Sequence, residues 1–118
     1  MEAVMVSGQE LFAERDRIHN IIDGSLLKAF ENGNEAAEKT RIYRMRLQQK
    51  ILQLPEEGMA VTLIEKVAKG DPEVAQAEFE KNVADVAYRA SLENIMAQKK
   101  FFDSIEADIN REYYNKVE

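Results

Sequence analysis

Few side chains in this sequence have the type and spacing for chemistry. His19 is the single histidine. As a general base it would need a carboxylate to orient it, and Glu14, Asp16 and Asp23 are the acids nearby. It also borders the apolar stripe of a helix, and we read it as a boundary histidine with one solvated nitrogen. Glu35-Ala36-Ala37-Glu38 has the spacing of a magnesium-binding acidic pair, but no Glu-x-x-Asp follows to complete such a site. Acids in the first turn of a helix are explained by the macrodipole alone. Asp103, Glu106, Asp108 and Glu112 scatter around a helical wheel, which fits a solvated acidic end better than a metal site. Glu-x-x-His pairs for a di-iron centre are missing, as is a Gly-rich phosphate loop ending in Gly-Lys-Ser/Thr. With no cysteine there is no thiolate nucleophile, disulfide or Cys-ligated metal. The sequence therefore predicts no catalytic residue, no metal site and no cofactor.

Charge is the more informative chemistry. The 118 residues carry 22 acidic and 16 basic side chains, a net charge of −6. Residues 34–54 run the other way: Lys39, Arg41, Arg44, Arg46 and Lys50 against Glu35 and Glu38, or 5 − 2 = +3. One reading is a patch for phosphate, nucleic acid or an acidic partner, with Tyr43, Gln48 and Gln49 adding polar contacts. The reading we prefer is electrostatic packing of this basic helix against the acidic long helix, within or between subunits. An acidic molecule attracts nucleic acid poorly at long range. Met59–Lys69, the Gly70-Asp71 turn and the helix from Pro72 have the layout of a helix-turn-helix, but its recognition face would open with Glu73, Gln76, Glu78 and Glu80, whose acids repel phosphates.

The elements that position these residues are helical throughout. Only five glycines and two prolines punctuate the chain. Ser7-Gly8-Gln9-Glu10 reads as a capping box, and Leu11, Ile18, Ile22, Leu26 and Ala29 continue on one helical face. Glu31-Asn32-Gly33-Asn34 supplies a stop, with Gly33 as a left-handed cap, and a new start at Asn34. A second stripe, Ala36, Tyr43, Leu47, Ile51 and Leu54, ends at Pro55 and Gly58. A short helix with Ala60, Leu63, Ile64 and Val67 on one face closes at Gly70. Asp71-Pro72-Glu73 then combines an N-cap, a preset first helical φ and a first-turn acid. The predicted helices are 8–31, 35–53, 59–69 and 72–115 in a single α-helical domain, 1–118. The fold class is all-α: an elongated helical bundle of three shorter helices plus one long C-terminal helix.

The last helix has no Gly or Pro after Pro72 and would span about 65 Å. A compact domain of this size has a radius of gyration near ~13–14 Å. The helix therefore either breaks, with Asp103-Ser104 the natural place, or projects and buries its apolar surface on another copy or a partner. Its apolar arc is roughly twice the ~100° that one neighbour covers. We assign the seam of a homodimer to Tyr88, Leu92, Ile95, Phe102, Ile105, Ile109 and Tyr113. Lys81, Gln98 and Lys99 interrupt a strict heptad, which points to an irregular bundle rather than a two-stranded coiled coil.

The stretch from Val86-Ala87-Tyr88-Arg89-Ala90-Ser91-Leu92-Glu93-Asn94-Ile95 through Lys99-Lys100-Phe101-Phe102 resembles the long-helix tail of small all-α phage or prophage accessory proteins. The resemblance covers about forty residues of this 118-residue chain, and no activity is implied by it. Together these readings predict a non-enzymatic interaction or adaptor protein that self-associates, takes a protein partner and modulates a host or replication protein. The alternative is a nucleic-acid-associated accessory protein using the basic edge of the second helix. No apolar run reaches the roughly 18 residues of a membrane span, and the first residues lack a basic-then-apolar leader pattern. The expected location is the cytoplasm, a host's if the protein is phage-derived.

Overall fold

Residues 8–115 are described by a computed structural model. They form helix α1, Gly8–Gln53, a 3-10 turn, Leu54–Glu57, helix α2, Val61–Gly70, and helix α3, Pro72–Asn115. No strand occurs among the described residues, so the all-α class holds. The predicted capping box begins at Ser7, which lies outside the described residues.

Two long helices of 46 and 44 residues and one of ten replace the expected three short helices and one long one. The break predicted at Glu31–Asn34 does not exist, and α1 runs straight through it. Gly33 is not left-handed; the only positive φ in the described residues is at Gly58. Small size is what the fold uses at Gly33. A Cβ there would sit 3.0 Å from the Tyr88 ring, tighter than ordinary contact. Packing of Ala29 and Ala36 on either side keeps the helix going where local propensity alone would stop it. Gly58 behaves as expected, closing the 3-10 turn in the left-handed region with its amide donating to the Leu54 and Pro55 carbonyls. Gly70 is instead the last residue of α2, and Asp71 follows as its C-cap with φ −60°.

Asp71 is also the N-cap predicted for α3. Its Oδ2 accepts from the amides of Glu73 at 3.1 Å and Val74 at 3.3 Å, and its other carboxylate oxygen lies 3.4 Å from Lys50 Nζ on α1. Partial burial pushes the Asp71 carboxyl up, but the Val74 amide, Lys50 and the Glu73 amide together hold it below the ordinary aspartate value. A depressed carboxylate contributes stability in full above its unfolded pKa and loses it as pH falls through the lower, folded pKa. The melting temperature is therefore expected to drop on acidification below the usual aspartate range, and to drop less in Asp71→Asn. Thermal melts of the two proteins across that range check this; parallel curves would show that Asp71 contributes nothing.

The described residues group into two compact units. One comprises the described parts of Met1–Ala29 and Ser91–Glu118, and the other is Phe30–Ala90. In the first, the start of α1 and the end of α3 lie antiparallel around Ile18, Ile22, Ile105 and Ile109, with Leu11, Phe12 and Phe102 against them. α3 does not break at Asp103-Ser104. In the second unit the 3-10 turn and α2 fold over the end of α1, burying Leu54, Ile64 and Ala68 beside Leu47, Ile51 and Met59.

Burial along α3 also revises the view that heptads fail. Val74, Ala77, Lys81, Ala84, Tyr88, Ser91, Ile95, Gln98, Phe102, Ile105, Ile109 and Glu112 alternate in steps of three and four, and all but the marginal Tyr88 are covered or half-covered. Lys81 and Gln98 occupy seam positions rather than interrupting them. Lys81 is accommodated because its ammonium lies 3.3 Å from Asp85 and 5.8 Å from the centroid of the Tyr43 ring, leaving its apolar stem to pack.

Candidate interaction surfaces

The predicted seam splits in two once the helices are packed. Ile95, Ile105 and Ile109 are each 6% exposed and belong to the chain's own interior, and Phe102 is half-buried against the same cluster. Phe102, Ile105 and Ile109 pack with Ile18 and Ile22 of α1, so their surface is used within the chain. Tyr88, Leu92 and Tyr113 remain exposed. Tyr113 is turned back on its own unit, its ring edge-on to Phe12 at 5.6 Å, and Tyr88 packs over Gly33.

The apolar surface that stays open lies on a different stripe of α3. Phe79, Val83 and Val86 are 62%, 52% and 61% exposed, and Ala90 continues the stripe, also exposed. Phe79 and Val86 sit two residues on from the buried Ala77 and Ala84, Val83 one residue before Ala84, and Ala90 one residue before the half-buried Ser91. That offset turns them away from α1. In the other unit the exposed Phe101 and Ala97 line an open groove of ≈290 Å³ with Ile21, Ile18, Arg17 and Gln98. Among the described residues the buried Gln98 Oε1 has no hydrogen-bond partner, an arrangement that costs about 1–3 kcal/mol. The sequence contained the signal for the open stripe, since Phe79, Val83, Val86 and Ala90 share one side of a helical wheel. Nothing in the wheel told which of two apolar sides α1 would cover.

The five predicted basic residues do not form one free patch. Lys39 Nζ lies 3.8 Å from Glu35, and Arg41 is held in a two-point pair with Glu38 at 2.6 and 3.1 Å. Those hydrogen bonds lower the Glu38 pKa and raise that of Arg41. Lys50 faces Asp71 across the unit. Arg44 and Arg46 are exposed and have no ion pair among the described residues. An open groove of ≈520 Å³ in the same unit brings Arg41 and Arg44 together with Gly33, Ala36, Thr40, Asp85 and Tyr88. Tyr43 lies inward from this edge, where burial and a hydrogen bond to Glu78 raise its pKa.

His19 is exposed, with Nε2 3.5 Å from Asp23 on its own helix and its ring tilted on Phe102 at 6.3 Å. Among the described residues no three His, Cys, Asp or Glu side chains gather as metal ligands. No helix of the described residues is long and apolar enough to cross a membrane. The chain matches no protein family, no curated protein and no solved structure.

Proposed function

We propose that this chain is a non-enzymatic interaction protein that works through helical surfaces and self-associates as a dimer, in which its helices join an elongated bundle. The observation that carries the reading is the open stripe of Phe79, Val83 and Val86 on α3, each more than half exposed. These residues repeat with the same three- and four-residue steps as the seam already buried within the chain. Isolated exposed apolar residues are common on soluble proteins, but a contiguous and periodic row marks a surface built to be covered. In this reading the dimer presents an acidic exterior and the two uncommitted arginines, Arg44 and Arg46, to a protein partner. The setting is cytoplasmic. Such a protein of mobile-element origin, as the long-helix resemblance implies, would act by occupying a surface of a host or replication protein.

The test is the mass in solution as a function of concentration, by light scattering behind size exclusion. The weight-average mass is expected to rise from the 13.5 kDa of the chain toward twice that value. A mass that stays at one chain over the whole accessible range overturns self-association.

A nucleic-acid function would use the basic edge of α1. That edge has three of its five cations committed to acidic neighbours, so the interaction reading is the better supported.

A further inference from the structure

We infer that two copies of the chain pair through α3 in an antiparallel, two-fold arrangement whose axis passes between Val83 and Val86; this rests on the self-association proposed above and specifies its geometry. The stripe Phe79, Val83, Val86, Ala90 has spacings of four, three and four residues and reads the same in both directions. It is bracketed at equal distance by Gln76 and Glu93, both exposed. A two-fold interface requires such self-complementarity, because each residue meets its counterpart reflected about the axis.

Size decides against the parallel alternative first. In the antiparallel pair Phe79 packs against the partner's Ala90, and Val83 against the partner's Val86. A large side chain then faces a small one at each end, with two of equal size at the centre. Every layer is filled to a similar depth, and the helices stay at one separation, about 8–10 Å for packed helices. A parallel pair in register would set Phe79 on the partner's Phe79 and Ala90 on the partner's Ala90. The axes would have to splay at one end or leave a void at the other, and protein interiors tolerate neither well.

Charge decides the same way. In the parallel pair Glu93 meets the partner's Glu93 across the seam, two like charges at closest approach. In the antiparallel pair Glu93 meets the partner's Gln76, whose amide donates a hydrogen bond to the carboxylate. The flanking positions agree. Asn82 comes beside the partner's Arg89 on one edge, and Glu80 beside the partner's Ala87 on the other, so no like charges meet there. The stripe is already open in the single chain.

The chain has no cysteine, so single cysteines can be placed without background. We would make Gln76→Cys and Glu93→Cys, both outside the apolar residues, mix them, and treat the mixture with a short bis-maleimide. The antiparallel pair links only the 76 position of one copy to the 93 position of the other. The two copies of either position alone are about 25 Å apart along the axis, seventeen residues at 1.5 Å each. Expected is a cross-linked dimer from the mixture and none from either variant by itself. Dimers from each variant alone and none across the mixture would mean a parallel pair and overturn the inference. A doubled mass by light scattering with no cross-link of either kind would place the interface elsewhere, overturning the geometry while self-association stands. A single-chain mass for the wild-type protein overturns both. As an independent check, Val86→Asp is expected to return the mass to one chain, whereas Val61→Asp on α2, a still more exposed valine, is not. A Val86→Asp protein that still doubles its mass overturns the inference too.

Discussion

Replacing Leu54 with alanine is expected to lower the unfolding free energy by about 2–5 kcal/mol, measured as a shift of the urea midpoint at unchanged slope. Leu54 is the first residue of the 3-10 turn and only 2% exposed, the more enclosed of the two large side chains in its cluster. Its side chain is what α2 closes on, through Ile64 and Ala68, while Leu47, Ile51 and Met59 seal the sides. A ten-residue helix has little stability of its own, so α2 holds its place by that contact. Removing three carbons leaves a cavity that the turn, pinned by Pro55 and by the left-handed Gly58, is poorly able to collapse. Leu52, two residues earlier and 63% exposed, is the control: Leu52→Ala should stay within about 0.5 kcal/mol of wild type. Equal effects at the two leucines would mean that α2 is not seated on Leu54.

The second large effect is expected at Ile105. Ile105→Ala should cost about 2–4 kcal/mol, and for a chain of this size lower the melting temperature on the order of 10 °C. Ile105 packs with Ile109 on α3 against Ile18 and Ile22 on α1, where among the described residues the two helices have no third element to support them in that unit. Arg15 on α1 reaches Glu106 beside this cluster at 3.7 Å, but a half-exposed pair at that distance adds little. The apolar contact therefore carries most of the helix pairing. Phe101→Ala removes a larger side chain from the same helix and is expected to change stability far less, because Phe101 is more than half exposed. Calorimetric melts of both variants check the contrast. A loss at Phe101 as large as that at Ile105 would mean the covered and open sides of α3 had been exchanged.

Much of this was legible before any coordinates. Asp71-Pro72-Glu73 specified a helix start through chemistry local to three residues, and the cap hydrogen bonds form as expected. Pro55 and Gly58 marked the end of the preceding helix for the same reason: a fixed φ and a left-handed turn act on the backbone directly. The apolar periodicity of residues 72–115 specified a long helix and also its two apolar sides. Glu31–Asn34 misled because Gly and Asn are helix stops only when nothing else is at stake. Here Ala29, Gly33 and Ala36 allow close packing, and Tyr88 covers the glycine. The same residue type that caps one helix admits a neighbour to another, and the two uses look identical in one dimension.

What this sequence determined by itself is therefore the local part: helix as the regular structure of the described residues, the capped start of α3, the turn at Pro55–Gly58, and an apolar surface on α3 too broad for a single neighbour. The tertiary structure decided which part of that surface the chain uses for itself. Ile95, Ile105 and Ile109 went inward, and Phe79, Val83 and Val86 were left open. It also decided which cations are committed, by placing Asp71 beside Lys50. The physical reason is the same in both cases. Backbone preference and capping depend on a few neighbouring residues, whereas burial and ion pairing depend on which distant helix face arrives first, and two apolar faces of one helix compete for it on nearly equal terms.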